Sequence, residues 1–176
     1  RGNFMLRRYY TIQKIDAWEE AQQKGYLEGN KNYVYEEFLK AYLWMMNQMR
    51  KKLSLYNGEY PVWLWLERPD LRCGGYLNPG EKGVLLEIYI DEERVLLSDF
   101  YLWHCVLNND AVADDEDEWE LIRQGKSHIT IEQSWERIFD VNYDSCKNTI
   151  IQGVTGKISI DKIRLIKEFI AKNIGI

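Results

Sequence analysis

Arg72 stands in a glycine-rich turn that follows an apolar run, and this turn is the most suggestive polar feature of the sequence. The run at 63–66 carries two tryptophans, and Arg68 and Asp70 lie between it and Arg72. A guanidinium presents five donors in a planar fork, which suits a phosphate or a carboxylate. An ion pair of Arg72 with Asp70 or Asp99 would instead be structural. We therefore expect Arg68 and Arg72 either to bind an anionic ligand or to hold the turn.

A second group of polar and aromatic residues follows a later strand-like run. Ser98 or Asp99 can cap a short helix that carries Trp103 and His104. Trp65 and Trp103 are of a type that stacks on a base or a nicotinamide, although core packing is the alternative for both. We expect Ser98 beside the ligand, and Asp99 with His104 to fix its orientation. His104 is also a candidate catalytic base.

The three cysteines are scattered, at Cys73, Cys105 and Cys146, and the two histidines form no metal-binding pair. We therefore predict no metal site. Thiol catalysis requires a thiolate beside a base. Cys73 lies close to two arginines in sequence, and His104 could approach it in the fold, so a cysteine-dependent enzyme is one alternative. Free thiols also predict a reducing, cytoplasmic location.

Composition and missing motifs exclude several classes of function. The net charge of −5 and the isoelectric point of about 5.2 argue against nucleic acid as a partner. Neither a P-loop nor a dinucleotide-binding glycine motif occurs, which argues against kinases and Rossmann dehydrogenases. No apolar run reaches the ~20 residues that span a bilayer, and no signal peptide is visible, so we predict no membrane partner.

The first half of the chain predicts a strand and two helices. Residues 8–13 are β-prone. Asp16 and Glu19 have the spacing of a capping box, which predicts a helix that ends at Gly25. Apolar residues at spacings of three and four predict a long helix over 35–53.

The middle of the chain predicts three strands and a loop. Residues 60–66 are apolar on both faces, which is typical of a central, covered strand. Residues 84–91 and 95–97 resemble two further strands. The acidic segment 110–120 lacks the spacing of an EF-hand, and we expect it to be a solvated, mobile surface loop.

The last part of the chain begins with a clear helix signal and ends with an ambiguous one. Thr130 and Gln133 form a second capping-box pair, which opens a helix through Phe139. Residues 149–160 are β-prone. Residues 161–173 have helical isoleucine spacing but are also compatible with an edge strand, and both alternatives stay open.

Mixed elements without regular βαβ alternation predict the α+β class. We expect a single domain with a twisted, mainly antiparallel sheet, packed by one long and several short helices. Met5 resembles a natural start, so the predicted domain covers 5–176, and residues 1–4 are expected to be a remnant of expression.

Four motifs resemble an uncharacterised bacterial family of small, tryptophan-rich cytoplasmic proteins. They are W-L-W at 63–65, R-P-D-L-R at 68–72, L-S-D-F-x-x-W-H at 97–104 and I-Q-G at 151–153. The resemblance runs from Tyr10 to about Phe169. The family is classed only as a domain of unknown function, so the resemblance implies no reaction.

A second resemblance, to ADP-ribosyltransferase-like proteins, is carried by Y-T-I-Q at 10–13, W-E-E-A at 18–21 and G-Y-L at 25–27. It implies a split-sheet fold that binds NAD, with Thr11 or Gln13 at the first-strand position that holds the ribose. Gln152 would stand near the late-strand position, where such enzymes carry a glutamate. The first-strand histidine or arginine of those enzymes is also missing here.

These observations favour a nucleotide-like small-ligand pocket at the strand ends. Arg72 would bind phosphate, NAD is the candidate cofactor, and ADP-ribosyl transfer or NAD cleavage would be the reaction if the protein is an enzyme. The alternative is a non-enzymatic module that binds a protein partner through exposed aromatic residues.

Overall fold

A six-stranded antiparallel sheet organises the fold. The computed structural model describes residues 5–141 and 149–172. The strands of this sheet are β1 (Leu6–Lys14), β3 (Val62–Trp65), β4 (Lys82–Asp91), β5 (Leu96–Asp99), β6 (Ile151–Thr155) and β8 (Ile163–Ile170). Their order across the sheet is β5-β6-β3-β1-β4-β8, and the short strands β2 (Tyr26–Leu27) and β7 (Ile158–Ser159) pair separately. The predicted single α+β domain is confirmed.

Five α-helices pack against this framework in the described part of the chain. They are α1 (Ile15–Lys24), α2 (Leu39–Lys52), α3 (Phe100–Leu107), α4 (Glu116–Arg123) and α5 (Ile131–Ser134). Short 3₁₀ turns occur at Lys31–Tyr33, Glu36–Phe38, Glu92–Arg94, Trp135–Phe139 and Ile160–Lys162. The predicted long helix is therefore one 3₁₀ turn followed by α2.

The pairing register assigns each strand residue to one of two sheet faces. One face, which we call the α1 face, packs Tyr9, Leu64 and Leu86 against Trp18 of α1. The opposite face, the α2 face, packs Val154 and residues of β3 and β5 against α2, α3 and the segment that includes Trp135. Each face therefore has its own apolar core.

The sheet must curl toward the α1 face, because β4 and β5 are joined by a very short link. Three strands lie between them in the sheet order, which would separate them by about 19 Å in a flat sheet. The link, residues 92–95, includes a 3₁₀ turn that rises only about 2.0 Å per residue. A Cβ atom at Gly153 would lie 2.5 Å from Cγ1 of Val95, so the close approach of the link depends on this glycine.

The first helix begins one residue earlier than its predicted cap. Lys14 occupies the N-cap position without a side-chain hydrogen bond, and Asp16 lies inside the first turn. The predicted capping box of Asp16 with Glu19 is therefore wrong. Gly25 ends the helix with a φ of 88°, as predicted, because the left-handed conformation carries no steric penalty at glycine.

The acidic segment at 110–120 is more structured than predicted. Asp115 caps α4 by accepting from the backbone N–H of Glu118, and α4 begins within the segment. Asp110 accepts hydrogen bonds from Trp119 Nε1 and Arg123 Nη1, both at 2.9 Å. The predicted loop is wrong for residues 116–120, which form the first part of α4, because the Asp115 carboxylate caps that helix.

The structure confirms the capping box at Thr130 and decides between the two alternatives for the C-terminal segment. Thr130 and Gln133 form the predicted capping box, which opens α5. The ambiguous C-terminal segment is β8, an edge strand paired with β4. Its isoleucine spacing is that of a strand with a bulge at Ile166, opposite Leu85 and Leu86 of β4, rather than that of a helix.

Candidate functional site

An open groove of about 590 Å³ lies over the α2 face of the sheet, between the strands, α2 and the loop at 74–76. It has no charged lining residue among those the structure describes. Polar lining groups include Gln13 and Asn30. Seven of its lining residues are aromatic, and we call it the aromatic groove: Tyr33, Tyr42, Tyr60, Trp63, Trp65, Tyr76 and Phe100.

The groove lies where β1 and β3 are only weakly joined. The two strands form one residue pair in the described sheet, Tyr10 with Trp65. Beyond that pair the two strands are joined by a side chain instead of by backbone hydrogen bonds. The Thr11 hydroxyl donates to the carbonyl oxygen of Trp63 at 2.8 Å. Gln13 Nε2 donates to the same hydroxyl at 2.9 Å. Buried Thr11 thus fixes Gln13, which lines the groove.

The floor of the groove is fixed from below by buried aromatic rings. Trp63 Nε1 donates to the Tyr42 hydroxyl at 3.2 Å. Trp103 contacts both, with ring centroids 5.0 Å from Trp63 and 5.9 Å from Tyr42. Burial raises the pKa of Tyr42 above its usual value, so it stays a neutral hydroxyl. Trp103 is only 4% exposed and supports the groove without lining it.

Trp65 forms the opposite wall of the groove and is half-buried. Its ring packs edge-to-face with Tyr76 at 6.0 Å and tilted against Phe100 at 5.2 Å. His104 packs behind Phe100 at 4.7 Å, and its Nδ1–H donates to the Phe100 carbonyl oxygen at 2.8 Å. His104 is exposed and does not line the groove.

The remaining polar candidates from β5 and β6 are buried and satisfied. Gln152 lies opposite Trp65 in the register, and its Nε2 donates to the Ser98 hydroxyl at 3.2 Å. Asp99 accepts from the backbone N–H of Leu102 at 2.9 Å and so caps α3. None of Ser98, Asp99 and Gln152 lines the groove, although Ser98 and Gln152 share its sheet face.

The structure separates Arg72 from the aromatic groove. Arg68 and Arg72 line another depression, beside the end of β8. The Arg72 side chain is 87% exposed, and its Nε–H and Nη2–H donate to both carboxylate oxygens of Asp70. This pair lowers the pKa of Asp70 to about 2. It is the structural pairing that the sequence left open.

The cysteines do not form a catalytic pair with histidine in the described residues. Cys73 is exposed in the loop, and its backbone N–H donates to the backbone carbonyl oxygen of Asp70. Cys105 is half-buried, and burial raises the pKa of its thiol, with the Asp110 carboxylate adding to the effect. Cys146 lies outside the described residues.

Metal-binding clusters and membrane-spanning helices are both absent from the described ranges 5–141 and 149–172. No group of histidine, cysteine or carboxylate side chains there has the arrangement that holds a metal ion. No helix there has the length and apolarity needed to cross a membrane.

Of the seven aromatic groove residues, sequence reasoning assigned a ligand-binding role to Trp65 alone. It missed the other six: Tyr33, Tyr42, Tyr60, Trp63, Tyr76 and Phe100. The apolar spacing along α2 places Tyr42 on the buried face of the helix. It does not reveal that Tyr42, near the start of α2, also lines a groove. The one usable signal was the pair of glycines at 74–75, which precedes Tyr76 and lines the groove with it.

Comparison with known proteins identifies the family. The family model described as "Domain of unknown function (DUF3841)" matches residues 8–164. The chain belongs to this family. The DUF3841 match contains every residue that lines the aromatic groove, from Ile12 to Ile150. No curated protein and no solved structure matches the chain.

Proposed function

We propose that this protein binds a flat, nucleotide-like small molecule in the aromatic groove. The observation that carries the proposal is the half-buried Trp65, which lies between Tyr76 and Phe100 in an uncharged, aromatic-lined cleft. Aromatic side chains contribute about 1–3 kcal/mol for each base stacked on them. Gln13 and Asn30 supply the donors and acceptors that orient such a ring.

NAD is the first ligand to test. The resemblance of the opening strand to ADP-ribosyltransferase-like proteins supports a nicotinamide or adenine ring in the groove. The weak joint between β1 and β3, closed by Thr11, supports a ligand at the position where those proteins split their sheet. Gln152 is an amide hydrogen-bonded to Ser98, which favours binding over transfer of ADP-ribose by that residue.

The first experiment is a thermal-shift screen with NAD, ADP-ribose, ATP, GTP and short oligonucleotides. A ligand that binds only the folded state at a hundredfold excess over Kd stabilises it by about 2.7 kcal/mol. Binding is then measured by calorimetry on Trp65→Ala, with Trp119→Ala as the matched control. Trp119 is also half-buried but packs against Arg123, outside the groove.

The proposal expects at least tenfold weaker binding in Trp65→Ala and unchanged binding in Trp119→Ala. Equal binding by wild type and Trp65→Ala would overturn the groove as the site. No shift with any ligand would favour the alternative of a protein-interaction module, for which the next measurement is capture of a partner.

A further inference from the structure

Two arginines flank one glutamate on the α2 face, and a third arginine contributes its charge there. Arg8 of β1 and Arg164 of β8 flank Glu87 of β4, with Arg8 Nε 3.5 Å and Arg164 Nη2 3.1 Å from its carboxylate. The third, Arg68, follows β3 and adds its charge to the field at Glu87. We call these four residues the arginine cluster.

The arginine cluster has a positive surplus that faces solvent. The Arg8 and Arg164 side chains are 61% and 70% exposed, whereas the Glu87 side chain is 16% exposed. The hydrogen bond from Arg164, with the charges of Arg8 and Arg68, holds the pKa of Glu87 below its usual value. Glu87 therefore stays ionised and orients the guanidiniums, but one carboxylate cannot neutralise three of them.

Donors remain available in the arginine cluster. Arg164 donates its Nε–H and one Nη2–H to Glu87. Within residues 5–141 and 149–172, the Arg68 side chain makes no hydrogen bond or ion pair, although its charge acts on Glu87. A guanidinium with free N–H groups matches the oxygens of a phosphate in a planar, bidentate manner.

The arginine cluster lies beside the aromatic groove in the same row of the sheet. Tyr10 is opposite both Trp65 and Glu87, and Glu87 is opposite Arg164. Directly opposed residues share a face and neighbouring strands lie about 4.8 Å apart, so Trp65 and Glu87 are separated by about 10 Å. A ribose and its 5′ phosphates bridge such a gap.

We propose that the arginine cluster binds the phosphate groups of the ligand whose ring lies in the aromatic groove. The protein would then recognise a phosphorylated nucleotide rather than a free base or nucleoside. This inference rests on the proposed function, and it reassigns the phosphate-binding role expected of Arg72. Arg72 is the poorer anchor because Asp70 balances its charge one to one, whereas the single Glu87 carboxylate is shared among three arginines.

The test compares adenosine with ADP by calorimetry on wild type, on the double variant Arg8→Gln with Arg164→Gln, and on Arg72→Gln. Arg72→Gln is the matched control, since it removes an exposed, carboxylate-paired arginine elsewhere. We expect ADP to bind wild type at least tenfold more tightly than adenosine. The double variant should lose that advantage without weaker adenosine binding, and Arg72→Gln should behave as wild type.

Other outcomes separate failure of the inference from failure of the proposed function. Equal affinity of wild type for adenosine and ADP, or full ADP affinity in the double variant, overturns the inference and leaves the groove intact. If neither compound binds wild type and the thermal-shift screen also finds no ligand, the proposed function fails. Pyrophosphate is then the probe: binding that the double variant loses supports the anion site alone, and no binding overturns it. Circular dichroism checks that the double variant is folded, and Arg164→Lys, which keeps the charge, should restore part of the ADP affinity.

Discussion

Tyr10 of β1 and Trp65 of β3 form the one residue pair that joins these neighbouring strands in the described part of the sheet. On its other side β1 pairs with β4 along all nine of its residues. The sheet is therefore continuous on one side of β1 and nearly open on the other. The aromatic groove lies at this opening. On the other side of β1, Tyr10 pairs with Glu87 of β4, which belongs to the arginine cluster.

Thr11→Val should both destabilise the protein and weaken ligand binding. It removes the hydroxyl that donates to Trp63 and accepts from Gln13. Because both partners lose a buried hydrogen bond, we expect a loss of about 1–3 kcal/mol in the free energy of unfolding. Chemical denaturation measures the stability, and calorimetry with NAD or ADP measures the binding.

The matched control for Thr11→Val is Thr155→Val. Thr155 is also buried and donates to a carbonyl oxygen, that of Arg94, at 2.8 Å, but it lies outside the groove. It should lose similar stability without weaker ligand affinity. If both variants weakened binding equally, Thr11 would act through stability alone.

Gly153→Ala should destabilise the curled end of the sheet. The new Cβ would lie 2.5 Å from Cγ1 of Val95, in a part of the α1-face core with little free space. Overpacking of this kind costs about 1–3 kcal/mol. Denaturation of Gly153→Ala in the wild-type and Val95→Ala backgrounds forms a double-mutant cycle. The cost should be smaller when Val95 is truncated, and an identical cost would show that the clash is not the cause.

The sequence predicts most of the elements because their signals are local. Strand-prone residues predict β1 and β4. Apolar residues at spacings of three and four predict α2, and a capping box predicts α5. The C-terminal strand was ambiguous because a bulge opposite Leu85 and Leu86 disturbs its period. The acidic segment was mistaken for a loop because partners distant in sequence bind its carboxylates: Arg137 pairs with Glu118.

The site was harder to predict, because its residues meet only through strand order. Trp65 was identified from residue type and Gln13 from the resemblance to ADP-ribosyltransferase-like proteins, and both line the groove. Trp103 was identified in the same way as Trp65 but is buried against Trp63 and Tyr42 in the core of the α2 face. Arg8 and Arg164 are far apart in the chain and carry no motif. They meet only because β1 and β8 flank β4.

Glu118→Gln should remove stability at neutral pH but not in acid. The hydrogen bond from Arg137 holds the pKa of Glu118 below its usual value. A carboxyl group whose pKa is lower in the folded than in the unfolded state stabilises the fold at pH values above its unfolded-state pKa. This contribution is lost as the pH falls through its folded-state pKa. Because both side chains are partly exposed, we expect about 1 kcal/mol at pH 7.

Urea denaturation of wild type and Glu118→Gln at pH 7 and at about pH 2 measures this difference. Glu19→Gln, on the exposed face of α1, is the control and should change stability little at either pH. A Glu118→Gln deficit that persisted unchanged in acid would mean that the carboxylate's charge is not responsible.

Ser98 and Gln152 should behave as a structural pair. Both are buried, and the Gln152 amide donates to the Ser98 hydroxyl. Removing one partner leaves a buried polar group unsatisfied, which costs about 1–3 kcal/mol, whereas removing both costs less than the sum. Denaturation of Ser98→Ala, Gln152→Leu and the double variant tests this. Strictly additive losses would contradict the pairing.

Cys73 should react with iodoacetamide well before Cys105. Cys73 is exposed, whereas burial and the nearby Asp110 carboxylate raise the pKa of the Cys105 thiol, which lowers the fraction of reactive thiolate. Mass spectrometry of the two peptides over a time course measures the rates, and urea-unfolded protein, in which both thiols are accessible, is the control.

Once Cys73 is alkylated, or replaced in Cys73→Ser, NAD or ADP affinity should be unchanged, because Cys73 does not line the groove. Loss of affinity in Cys73→Ser would instead revive the cysteine-dependent alternative.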